Sequence, residues 1–353
     1  MARLTALLLA LATVASAAFA ADPLVVGDVV VERGETATGG LRVGGPDGAN
    51  TEAETVLPIT VVRGARPGPT LLLLAGVHGS EYVPIVSLQQ LMPSLDPSDI
   101  AGTVIAVHVA NPPTYLGQAG ALSPVDGENL NRVFPGDPDG TLTARIASAI
   151  TTELFPLADA VLDLHGGNGL EDLEPSWTGY YANAPTPEVA EANRAIAFAF
   201  GLSPVVEFQW EVAATDKAIW AGSQAVARGI PSIDVEAGGL GQVDPDEIAA
   251  VTEGIRRIMA HLQMTDEAFA PLPEPILIKE RAWVEAPAAG SWTARAEAGD
   301  TVEKGQLLGI ITDVYGGNPI EVRAPMAGLV LILREAPPVR KGHDLSVIAK
   351  IEM

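Results

Sequence analysis

The chain has 353 residues, 48% of them hydrophobic, with 44 acidic against 21 basic side chains and a net charge of −23. An acidic excess spread along the chain without a Lys/Arg block argues against a nucleic-acid partner and reads as a solvated surface. The apolar content is enough for one large domain and a small one. There is no cysteine, so disulfides and thiolate ligands are excluded, and any metal must be held by the five histidines and the carboxylates.

Arg3, the apolar run Leu4 to Val14 and the small residues ending at Ala18-Phe19-Ala20 have the form of a secretory signal peptide, cleaved near Ala20. Its apolar core of roughly ten residues falls short of the about 20 that span a bilayer. The expectation is a secreted or periplasmic protein that is not attached to a membrane after cleavage.

From Pro23 to Pro67 apolar and polar residues alternate around Gly and Asp turns, which predicts antiparallel strands leading into the main sheet. Thr70 to Val77 is a continuous apolar run and predicts a strand buried on both faces. Strands and helices then alternate. Helices are predicted over Pro84 to Leu91, Leu142 to Leu154, Pro187 to Phe200 and Asp244 to Met264, and strands over Gly102 to Ala110, Ala158 to Leu164 and Ile230 to Glu236. This alternation predicts an α/β domain over residues 21–270, with helices on both faces of a mostly parallel sheet. The join Ala270-Pro271-Leu272-Pro273-Glu274-Pro275 marks a boundary, and from residue 276 to 353 short Gly- and Pro-punctuated strands predict a small all-β domain.

Three strand ends carry chemistry. In Gly76-Val77-His78-Gly79-Ser80-Glu81 an imidazole and a carboxylate stand three residues apart where a buried strand gives way to a helix, so both can turn to one cation. His165 ends a second buried strand in Leu162-Asp163-Leu164-His165-Gly166-Gly167, and open parallel sheets gather ligands at such carboxyl ends. Singly, each histidine reads as a turn or core residue. Together, two histidines and one carboxylate make the three-ligand set of a catalytic zinc, one ion per chain, with Asp163 as a candidate to orient His165.

Glu236 ends the third apolar strand, in Ile233-Asp234-Val235-Glu236-Ala237-Gly238-Gly239, and is the candidate general base. Asn131 and Arg132, in Asn129-Leu130-Asn131-Arg132-Val133-Phe134-Pro135-Gly136, are candidates for substrate binding, since a guanidinium can grip a carboxylate with two bonds. His108, His261 and His343 lie outside these motifs and read as structural.

The ordered set GVHGSE, NPP with DGENLNRVFPG, DLHGG and VEAGG resembles the succinylglutamate desuccinylase/aspartoacylase family, a branch related to the zinc carboxypeptidases, over about Pro58 to Met353. The resemblance implies a zinc-carboxypeptidase-like mixed sheet, with His78, Glu81 and His165 on zinc, Glu236 as general base and Asn131 with Arg132 on the substrate. It further implies hydrolysis of the amide of an N-acyl amino acid or similar small amide by metal-activated water. A metallocarboxypeptidase acting on peptides and a non-catalytic zinc-containing binding protein are the alternatives.

In one respect the chain departs from the family. Members commonly carry an arginine upstream of the Asn-Arg pair, whereas Leu116 to Glu128 has no basic residue, so an electrophilic donor is absent or comes from elsewhere. The C-terminal segment resembles a biotinyl/lipoyl-type domain, through Ala286-Pro287, Gly299-Asp300, Lys304-Gly305 and Ala324-Pro325. Its hairpin Asp313 to Asn318 lacks the lysine that would be modified, which implies a structural or pocket-covering role.

Overall fold

The computed structural model describes residues 22–44, 54–212, 214–215 and 217–351; the signal-peptide expectation falls outside them. No helix among the described residues is long and apolar enough to cross a membrane.

A short hairpin, β1 (Leu24–Val26) with β2 (Val29–Val31), precedes β3 (Glu35–Val43) and β4 (Thr55–Arg63). The antiparallel lead-in expected from alternation is therefore present, and it forms one edge of the main sheet. The chain continues through β5 (Arg66–Ala75), α1 (Tyr82–Leu91), β6 (Ala101–Val107), α2 (Pro112–Leu116), α3 (Leu142–Ala149) and β7 (Ala160–His165). Next come β8 (Glu171–Leu173), β9 (Trp177–Asn183), α4 (Pro187–Phe200), β10 (Val205–Glu211), α5 (Ala221–Ala227), β11 (Ser232–Glu236), α6 (Pro245–His261) and β12 (Leu277–Ile278).

Local chemistry sets several of these bounds. Thr186 caps α4 by accepting from the Val189 amide, Pro187 takes its first turn, and Gly201 ends it at φ 102°. Asp244 caps α6 through the Asp246 and Glu247 amides, so the helix starts one residue later than its apolar pattern suggests and stops at His261. Strand β5 ends at Ala75 rather than Val77, because Gly76 turns the chain at φ 68°.

The nine-stranded sheet runs β12-β10-β9-β11-β7-β5-β6-β4-β3. It is mixed: β11, β7, β5 and β6 run parallel, while β9 meets β11 antiparallel and β4 meets β6 antiparallel. Strands β12, β10 and β9 are also parallel to one another, so five of the eight neighbouring pairs are parallel and the sheet is mostly parallel, as expected. Strands β9 and β10 were not anticipated, because Trp177–Asn183 and Val205–Glu211 mix aromatic, glycine and charged residues and do not read as buried runs.

Side chains alternate between the faces. Leu71, Leu73, Leu162, Leu164, Ile233 and Val235 point to one face and join α1, α4 and α6 in a single core. On the other face two apolar clusters stand apart. One holds Leu72, Leu74 and Val161 with α3 and α5, and the other holds Trp177, Tyr181, Val206 and Phe208. Between them lies a polar stripe formed by alternate residues of two central strands: Asp163 and His165 on β7, and Ser232, Asp234 and Glu236 on β11.

Beyond residue 280 the chain forms β13 (Arg281–Glu285), β14 (Gly290–Ala294), β15 (Thr301–Val302), β16 (Leu307–Thr312), β17 (Ile320–Arg323), β18 (Gly328–Arg334), β19 (Pro338–Val339) and β20 (Asp344–Ala349). These make two small sheets around Trp292, Leu308, Ile311 and Val330. The two parts of the chain are laced together. Strand β12 pairs with β10 in the main sheet, and β8, six residues after His165, pairs with β18. Leu329, Leu331 and Ala349 complete the apolar cluster of Trp177 and Phe208.

Gly166 shows how closely the strand ends are set, since a Cβ there would lie 2.2 Å from the Ala237 carbonyl oxygen. We expect Gly166→Ala to push the ends of β7 and β11 apart and to destabilise the protein by about 1–3 kcal/mol. Urea unfolding together with zinc affinity checks this; wild-type values for both would refute it.

Candidate metal centre and cleft

Among the described residues, His78, Glu81 and His165 form a group of potential metal ligands, with one donor atom from each, all within 4.8 Å of one another. His78 follows β5, Glu81 precedes α1, and His165 is the last residue of β7, the strand beside β5. Gly79 lets this turn press against α2, where a Cβ would come within 2.1 Å of the Tyr115 nitrogen.

The hydrogen bonds decide which edge of each ring faces the cation. Asn129 Oδ1 accepts from the Asn131 amide at 2.8 Å and stands 3.1 Å from His78 Nε2, which fixes that nitrogen as the donor. His165 Nε2 stands 3.1 Å from Asp163 Oδ1, whose other oxygen accepts from the Gly222 amide at 3.0 Å. The Nδ1 edge of both rings faces the Glu81 carboxylate, at 2.6 Å and 2.9 Å, so the two imidazoles and the carboxylate converge where positive charge is held.

The electrostatics agree with this geometry. Burial pushes the Glu81 carboxyl up, but His78 and His165 outweigh it and hold the group at about 2. Burial disfavours a charged His165, but Asp163 and Glu81 drive its pKa well above the usual imidazole range. The donor set fits a single Zn²⁺: two imidazole nitrogens presented on the correct edge, one carboxylate, and outer partners that lock both rings.

The other expected residues surround the cluster. Glu236 pairs with His165 in the β11–β7 register, and burial pushes its carboxyl well above the usual range, opposed by His165. Asn131 Oδ1 accepts from the Ala221 amide at 2.9 Å, which leaves its Nδ2 facing His165 Nε2 at 3.3 Å. One Asn131 amide hydrogen is directed at that ring, and the other remains available to a ligand. Arg132 donates to the Asn131 carbonyl at 2.7 Å and lies over the Trp220 ring at 5.9 Å. The remaining histidines are elsewhere: His108 bonds Thr60 at 2.8 Å, His343 accepts from the Arg340 amide, and His261 closes α6.

Several neighbours were not foreseen. Asn129 was visible in the Asn-Leu-Asn-Arg run, and Asp234 lies two residues before Glu236, hence on the same strand face. Tyr181 donates to Asp234 at 2.8 Å, and burial with Asp163 nearby raises the Asp234 carboxyl to about 7. Burial also raises Glu171, which feels Glu81, and opposing charge comes from Arg334 of the C-terminal region. Phe208, Trp210, Trp220 and Arg281 line the adjoining wall. No local pattern in the sequence marks them, because they come from β10, the start of α5 and β13.

Residues 67–262 match the succinylglutamate desuccinylase/aspartoacylase catalytic domain. The chain is similar to the N-alpha-acetyl-L-2,4-diaminobutyric acid deacetylase of Halomonas elongata, 33% identical over 305 residues, which cover 84% of this chain and 86% of the relative. Its fold is similar to the product-bound ectoine utilization protein EutE (DoeB) of Ruegeria pomeroyi, with a TM-score of 0.80 and 27% identity over 90% of this chain and 96% of that one. A succinylglutamate desuccinylase/aspartoacylase from Rhodobacter sphaeroides aligns with a TM-score of 0.78 and 27% identity, covering 90% of this chain and 96% of that structure. With its metal cluster and this likeness, the chain is a zinc-dependent hydrolase that cleaves the amide of a small acylated substrate, and it belongs to the succinylglutamate desuccinylase/aspartoacylase family.

Proposed function

We propose that the bond cleaved is the N-acyl amide of an amino acid, that the product amine carries a second amino group, and that the enzyme acts outside the cytoplasm. The reading is carried by the position of Glu236, a carboxyl at the end of β11, in register with His165 at the end of β7 and beside the cluster. The name of the Halomonas elongata relative supports a diaminobutyrate substrate. So do the carboxylates around the cleft, Glu171, Asp234 and Asp344, which favour a cationic amine.

Zinc held by His78, Glu81 and His165 would supply Lewis acidity for water and for the acyl carbonyl. Glu236 takes the proton of the attacking water and delivers it to the amine nitrogen as the C–N bond breaks, so a carboxylic acid and an amine leave. A carboxyl whose pKa is raised by burial suits both halves of that transfer. Asn131 offers its free amide hydrogen and Arg132 its remaining N–H groups to substrate oxygens, and Asp163 holds the His165 ring.

Export is supported by the basic residue, apolar run and small residues at positions 3–20. The C-terminal sheets, with an exposed Tyr315 and no lysine at the Asp313–Asn318 turn, support a biotinyl/lipoyl-like fold that covers the cleft and carries no prosthetic group.

Glu236→Gln should lower kcat by about 10²- to 10⁴-fold while zinc content stays at one per chain. Steady-state assays on N-α-acetyl-L-2,4-diaminobutyrate, N-acetyl-L-aspartate and short peptides, with metal analysis, check both the role and the substrate class. Full activity of the variant would sink the role, and preference for peptides would sink the substrate class.

Chelation should abolish turnover reversibly. With free zinc about a hundredfold above its dissociation constant, the ion should add about 2.7 kcal/mol of stability. His78→Ala should lose both effects, as read by thermal unfolding with and without zinc; a zinc response that survives the substitution would contradict the ligand assignment.

A further inference from the structure

The Asn111-Pro112-Pro113 motif between β6 and α2 takes no part in the chemistry described above, yet it is bonded to the turn that carries the metal ligands. The Ala110 amide donates to the Ala75 carbonyl at 2.8 Å and the Asn111 amide to the Gly76 carbonyl at 2.9 Å. Main-chain pairing therefore runs past the end of β5 to the glycine where the chain turns towards His78. The Asn111 carbonyl accepts from the Thr114 and Tyr115 amides at 3.1 Å and 3.2 Å and from Thr114 Oγ1 at 2.8 Å. It fixes the start of α2, the surface against which Gly79 presses. One residue thus ties down the turn on both sides of His78.

The Asn111 side chain has no such account. It is 0% exposed, and neither Oδ1 nor Nδ2 has a hydrogen-bond partner. An asparagine before a helix ordinarily accepts from the second or third amide of that helix. Pro113 has no N–H to give, and the third amide, that of Thr114, is spent on the Asn111 carbonyl. Among the described residues the other buried asparagines bond at both ends. Asn193 donates to the Tyr181 carbonyl and accepts from the Ser232 amide, and Asn131 accepts from the Ala221 amide and faces His165. A polar group on the turn itself is also unspent: Ser80, 8% exposed, has a buried Oγ without a partner. Buried amides are costly to leave idle, and the ordinary occupant of such a place is a water with roughly two to four polar neighbours.

We infer that Asn111 is a positioning residue for the metal centre, its amide holding a buried water against the turn 76–81 so that His78 and Glu81 keep their spacing. Any residue at position 111 supplies the main-chain bonds, so a substitution removes only what the amide does. The inference concerns the placement of the ligands and is independent of the choice of substrate.

An idle amide and a water-holding one predict opposite outcomes. Replacing a buried polar group that bonds nothing by an apolar one of similar size is neutral or stabilising, whereas removing one that holds a water strands that water's other partners. The test measures zinc affinity by chelator competition, the visible spectrum of the cobalt-loaded protein and the urea stability of the metal-free protein, for wild type, Asn111→Leu and Asn111→Ala. Asn111→Leu should weaken zinc binding by about 10- to 100-fold and alter the cobalt spectrum, which reads ligand geometry. A crystal structure of the zinc-loaded wild type should show an ordered water on the Asn111 amide. If leucine is too large for the site and that variant does not fold, Asn111→Ala should show the same loss of affinity, and added formamide, which can stand in for the missing amide, should restore part of it. Lower metal-free stability with wild-type zinc affinity would mean that Asn111 only braces α2. Unchanged or higher stability with unchanged affinity would mean that the amide is idle. Either result overturns the inference, as does an amide found dry in the crystal.

Discussion

The structure is organised around charge concentrated at the ends of adjacent strands. Two imidazoles and a carboxylate converge at hydrogen-bonding distance, with Asn129 and Asp163 beside the far edges of the rings. Groups buried this deeply need opposite charge close by, and Glu81 and His165 hold it for each other. The scaffold keeps the same three side chains aligned as donors for a metal ion.

The sheet provides the rigidity. Three adjacent parallel strands, β5, β7 and β11, end at the same height and deliver His78, His165 and Glu236 side by side. The polar stripe survives because apolar clusters flank it on both sides, and residues of the other face fill a continuous core beneath it. Several polar groups near the cluster are held locally: Asp163 through Oδ2 by the Gly222 amide, Asn131 by the Ala221 amide, Asp234 by Tyr181. Two of those donors come from the first turn of α5, so a helix start buttresses two different residues of the site.

The metal ligands were legible in the sequence because buried strands announce their ends with glycines, and residues at parallel strand ends have few places to go. Glu236 was legible for the same reason, and Asn131 with Arg132 because polar residues stood out in an apolar, proline-stopped loop. The aromatic wall was not. Phe208, Trp210 and Trp220 sit in segments whose composition gives no clear period, and their meeting depends on β10 joining β9. Arg281 was further hidden behind a proline-rich join that reads as a boundary, although the chain crosses back into the main sheet at Leu277–Ile278 before reaching it. Local pattern reveals strand ends; it does not reveal which distant strand will lie beside them.

The lacing of β8 onto β18 has a consequence for assembly. Glu171–Leu173 belongs to the loop that follows His165, yet its backbone partners are Ile332–Arg334, close to the end of the chain. A pairing of such long range forms slowly and late. A nascent polypeptide that has emerged only as far as α6 already holds His78, Glu81, His165 and Glu236, but the loop beside them still lacks its anchoring strand. Maturation of the cleft therefore waits for the last part of the chain to be made.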